Sequence, residues 1–313
     1  MRLWLLALTL SLSIGIVGTT NAQQNIDFDA FDPVYQPLGE ALANADHKAA
    51  QRIMKGLERQ HGKTADFEFL SGIVTLLQMN DAGALRLPFL ARRMRNHWLK
   101  AVEYDPNHEL AHFSLVQYLA NAPGIVGGSL EDALEHRDRL HELNSDHRFM
   151  ADIVIAMVQE DEAAELAAWD ALFEAQPDNA QIRVNYAAQK INQEQYERAL
   201  EQLQAALALV ADSDEEADTR TLTQLHYQWG KLAAVSGIEL EQGAAFLSTL
   251  LADDRLPEGM NQGWVQFRLA QIEQHRENSE AANERFSAAE QFASDDENLR
   301  KALTEQGRCQ RVC

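Results

Sequence analysis

The one spacing in this chain able to carry catalysis is His108-Glu109-Leu110-Ala111-His112. It satisfies HExxH, in which two histidines one helical turn apart hold zinc and the glutamate acts as general base. A third ligand is needed, and Glu131 or Glu135 stands at a permissible distance downstream. The motif, however, directly follows Asp105-Pro106-Asn107. A helix starting there leaves His108 in a fraying first turn, and a pattern with two free positions recurs by chance. His97, His136, His141, His147 and His226 scatter over different segments, and there is no GxSxG elbow or phosphate loop. The expectation is no metal, no cofactor and no catalytic residue.

Helices must position whatever the chain does use. From Ala180 to Leu209 small residues recur at Ala187, Ala199 and Ala206, with Tyr186, Tyr196 and Leu203 as the bulky ones between them. A small residue in each of two antiparallel helices lets the backbones close to about 8–10 Å. This stretch resembles a tetratricopeptide repeat (TPR), a helix–turn–helix unit of about 34 residues. The same phase recurs in Gly263 to Ala293, where Leu269, Ala270, Ala282, Phe286 and Ala289 fall on the pattern. Trp229-Gly230 with Phe246, and Phe67, Leu70 and Gly72 with Trp98 and Ala101, extend it. The resemblance implies an all-α fold, a right-handed α-solenoid of about seven such units, with a final polar helix from Asp296 to Gly307 covering its end. In that phase His112 and Leu115 take ordinary helix positions, and the segment needs no metal.

The units are expected at 33–61, 64–106, 107–145, 146–178, 180–209, 219–254 and 263–293, so the solenoid occupies 33–308 and the last five residues form a short tail. An acidic connector, Asp212 to Asp218, precedes the sixth unit. Extra length falls at Asp81 to Pro88, read as an enlarged turn. It falls again at Asn121 to Ser129, where Pro123, Gly124, Gly127 and Gly128 break both flanking helices and Ser129 with Asp132 begins the next. This loop is either a functional rim or a tolerated excursion.

Arg2 followed by the apolar run Leu3 to Val17 and Thr20-Asn21-Ala22 reads as a secretion signal cleaved after Ala22, with an uncleaved anchor as the alternative. Gln23 to Asp32 would be a mobile leader. Removing Arg2 leaves 26 basic against 48 acidic residues, a balance of −22. That acidity is expected to repel nucleic acid and anionic lipid headgroups, and no later stretch is apolar enough to cross a membrane once the signal is gone. In an oxidising compartment Cys309 and Cys313 would close a short ring or pair with another chain. The expected location is the periplasm.

The TPR resemblance also implies a ligand face: the first helix of each pair lines a concave groove. There Phe113, Met150, Val184, Tyr227 and Phe267 share one register, with Leu110, Met157 and Trp264 nearby and Gln117, Asn185, Gln228, Lys231 and Arg268 as polar flanks. An exposed apolar strip marks an interaction site, whereas residues at helical period are equally expected in a core. Asn185 and Arg268 fall at one position, two units apart, and loosely resemble a TPR clamp for a peptide's C-terminal carboxylate. The function expected is therefore a non-catalytic scaffold of the cell envelope holding a peptide segment of another envelope protein. The alternatives are a carrier of lipid or another apolar ligand in that groove and, third, a zinc protease.

Overall fold

A computed structural model describes residues 28–307 apart from 212 and 214. The expected signal, its cleavage point and both cysteines lie outside the described residues. Every described regular element is helical. The chain forms two compact units, 1–174 and 175–313.

Unit 1 contains α1 (Gln36–Ala43), α2 (His47–His61), α3 (Ala65–Asn80), α4 (Leu87–Tyr104), α5 (Glu109–Asn121), α6 (Leu130–Glu142), α7 (His147–Val158) and most of α8 (Glu162–Ala175). Side-chain caps start several of them. Asp46 Oδ1 accepts from Lys48 N and Ala49 N, Thr64 Oγ1 from Phe67 N, and Ser129 Oγ from Asp132 N as its sequence position suggested. The α3–α4 hairpin closes because Gly72 has no side chain: a Cβ there would stand 2.2 Å from the indole Nε1 of Trp98. The enlarged turn between these helices is present. Phe28–Ala30 and Pro33–Tyr35 form 3-10 turns, and Phe31 is buried and stacked on Phe69 with ring centroids 6.0 Å apart. Among the described residues the helical body takes in Phe28 to Asp32, the end of the segment expected to be a mobile leader, because three aromatic rings (Phe28, Phe31, Phe69) gain more from mutual burial than from water.

Unit 2 contains α9 (Ala180–Asn192), α10 (Tyr196–Val210), α11 (Glu216–Ser236), α12 (Leu240–Ala252), α13 (Gln262–His275), α14 (Ser279–Glu290) and the closing helix α15 (Glu297–Glu305). Ala187, Ala199 and Ala206 are fully buried with Leu203, as the small-residue spacing requires. Three consecutive apolar clusters, from Ala180–Leu232, Tyr227–Ile272 and Phe267–Leu303, fill the spaces between successive pairs. Asp296 ties α15 down. Its Oδ1 caps Leu299 N, while Oδ2 accepts from Asn261 Nδ2 at 3.0 Å and Trp264 Nε1 at 2.8 Å.

Candidate functional site

The HExxH residues diverge. His108 is the N-cap of α5, not a helical residue: its Nδ1 accepts from Ala111 N at 3.1 Å and its Nε2 faces Asp66 Oδ1 at 3.2 Å. Glu109 Oε2 accepts from Ser145 Oγ at 2.6 Å. His112 meets the carbonyl of Pro106 at 3.0 Å and the Nδ1 of His136 at 2.9 Å. A lone pair each histidine would lend a metal is thus already directed elsewhere, and the glutamate points to a third partner. Burial holds His112 below its ordinary value, and burial with the neighbouring His112 takes His136 down to about 4. The pair is an uncharged hydrogen-bonded contact between α5 and α6.

In unit 1 the expected groove residues Leu110, Phe113, Gln117, Met150 and Met157 are all half-buried. Phe113 stacks on His147 of α7, with centroids 5.2 Å apart and planes at 12°.

In unit 2 the apolar register is corrected. Val184, Tyr227 and Phe267 are 2 %, 6 % and 3 % exposed and belong to the packed clusters between helix pairs. They are core, not surface anchors, because the next pair closes over that arc of each helix. What remains accessible is polar. Gln181 Nε2 donates to Asn185 Oδ1 at 3.0 Å and Gln224 Oε1 at 2.7 Å, while Thr221 Oγ1 donates back to Gln181 Oε1 at 3.1 Å, joining α9 to α11. Lys231 Nζ donates to Asn192 Oδ1 at 2.7 Å. Arg268 Nη1 donates to Gln271 Oε1 at 2.8 Å, and its guanidinium lies over the rings of Trp264 and Phe267 at 5.7 and 5.4 Å.

Two electrical features set this face apart. Burial, with the positive charge of Arg268 adding to it, depresses Lys231 from 10.5 to about 8. Neither cation makes an ion pair among the described residues. Beside them, Gln228 Oε1 and Arg268 Nε are buried without a hydrogen-bond partner. Two cations with no carboxylate partner are what a ligand's carboxylate would satisfy. Asn192 and Gln271 were missed from sequence. Their signal was spacing: Asn192 lies two turns beyond Asn185 on α9, and Gln271 one turn beyond Arg268 on α13.

Residues 159–236, which span α8 to α11, match the tetratricopeptide-repeat family model. That stretch is similar to the tetratricopeptide repeat, and the described helices form an all-α solenoid of helix hairpins. Its fold is similar to that in the crystal structure of the APC/C hetero-tetramer Cut9–Hcn1, at 14% identity and a TM-score of 0.52 over 95% of this chain and 54% of that one. It is also similar to yeast Tom70, at 14% identity and a TM-score of 0.53 over 89% of this chain and 64% of that one. This chain therefore spans between half and two thirds of those longer chains. A comparison with curated proteins found no match.

Proposed function

We propose that this chain is a non-catalytic, exported scaffold of the cell envelope that holds a peptide segment of another protein. The ligand's carboxylate would lie between Lys231 and Arg268 on the face formed by α9, α11 and α13. The reading rests on one observation: two cations on neighbouring helices of an acidic protein, one of them depressed to about 8, with no carboxylate between them. An unpaired, partly buried cation is costly unless an anion completes it. Trp264, half-buried and with its indole N–H fixed by Asp296, offers a rigid ring for the adjoining side chain. The alternative of an apolar-ligand carrier is weakened, since Phe267 is buried.

Fluorescence anisotropy with a hexapeptide library, synthesised as free acids and as C-terminal amides, tests this. Free acids are expected to bind about tenfold or more tightly than their amides, as charged hydrogen bonds contribute about 1.5–3 kcal/mol. Equal binding of both sets, or binding unchanged in Lys231→Ala and Arg268→Ala, sinks the proposal.

A further inference from the structure

The largest concentration of unpaired positive charge lies far from that face in sequence, on α4. Between Ala82 and Val102 the chain has no Asp or Glu and carries five cations, Arg86, Arg92, Arg93, Arg95 and Lys100. In a protein of 48 acidic and 27 basic residues this is a marked segregation. None of the five makes an ion pair among the described residues. Arg92 and Arg95 instead donate to the carbonyls of Ile125 and Gly127, holding the 121–129 loop against α4. Gly127 is required there: at φ 95°, with a Cβ it would meet the Arg95 guanidinium at 1.5 Å.

The same place carries the three most exposed large apolar side chains of the described residues: Leu85 at 90 %, Ile125 at 73 % and Phe89 at 72 %. Phe89 stands one turn before Arg92 and Arg93, and the Arg92 bond brings Ile125 alongside. Phe89, Arg92, Arg93 and Lys100, with Asn96 and His97, line an open hollow of about 400 Å³. That hollow is open, and of the three apolar side chains only Phe89 borders it. All three suit a medium that envelops them, and the cations beside them suit phosphates.

We propose that α4 and its preceding turn dock on an anionic lipid bilayer. Leu85, Phe89 and Ile125 would enter the headgroup–acyl boundary, and Arg86, Arg92, Arg93 and Lys100 would meet lipid phosphates. The net charge of −21 opposes this only weakly, because charges beyond the screening length of about 8 Å contribute little at physiological salt. It is a peripheral contact: no described helix is long and apolar enough to cross a membrane.

The test is co-sedimentation of the full chain with vesicles of phosphatidylcholine alone and of phosphatidylcholine with phosphatidylglycerol. Three versions are compared: wild type, Arg86→Ala/Arg93→Ala and Leu85→Ser/Phe89→Ser. The N-terminal segment is common to all samples and cancels in the comparison. Preference for the anionic vesicles is expected, weakened by salt and lowered about fivefold for each cation removed, hence about twenty-five-fold in the arginine pair. The serine pair should fall by a similar factor. All four positions are exposed, so thermal melts should match; if the arginine pair melts early, Arg93→Ala/Lys100→Ala replaces it. Equal partition on both vesicle types, or variants that bind like wild type, overturns the proposal. Capture by immobilised polyglutamate without any vesicle preference overturns it in favour of an acidic protein partner.

Discussion

At the scale of single residues, Lys231 links stability to binding. Because burial and Arg268 lower its folded value to about 8, the unfolded chain binds more protons between about 8 and 10.5. Its charged form therefore costs stability below that window, and the cost is relieved as pH rises through it. Lys231→Met should stabilise the unliganded protein at neutral pH by about 1–2 kcal/mol in urea denaturation while abolishing carboxylate binding. His136 has the same sign in an acidic window. With a folded value near 4 against about 6.5 unfolded, stability is full above about 6.5 and falls progressively as pH drops toward 4. The shift allows a loss of up to about 3 kcal/mol, and His136→Gln should flatten that part of the urea-midpoint profile. The helix start beside His108 was legible from the preceding Asp-Pro-Asn, but His108 caps that helix rather than standing in its first turn. The partner of His112, His136, was not legible, since nothing local says which histidine on the next helix will face it.

At the scale of elements, close approach and turn geometry carry the fold. Gly72→Ala would drive a methyl into the Trp98 indole, 2.2 Å from Nε1 and 2.6 Å from Cδ1, and the expected cost is about 2–3 kcal/mol in chemical denaturation. Several hairpin turns contain a non-glycine residue in the left-handed region, among them Ala45, Glu194 and Glu277 at φ 52°, 61° and 58°. Glycine is relaxed there, so Glu194→Gly and Glu277→Gly should each raise stability by about 1 kcal/mol, read from the denaturation midpoint. The pairing of helices was legible because Ala187, Ala199, Ala206, Gly72 and Trp98 repeat one phase. The width of the covered arc was not. Val184, Tyr227 and Phe267 stand at the border between core and groove, and their burial depends on how closely the next pair packs, which helical period does not encode. Tyr227→Ala accordingly tests packing, with an expected loss of about 3–5 kcal/mol.

At the scale of the whole molecule, the acidic chain carries two groups of cations without an ion pair among the described residues that bear on function: Lys231 with Arg268 in unit 2, and those of α4 and its preceding turn in unit 1. Composition alone foretold an acidic surface and concealed both, because net charge averages over the places where sign reverses. The most direct test of the central claim is an NMR titration of the Lys231 ammonium in the free protein and with millimolar N-acetyl-Leu-Phe, as free acid and as amide. The account predicts a midpoint near 8 that climbs toward the ordinary lysine value with the acid and stays put with the amide. A midpoint unmoved by the free acid would contradict it.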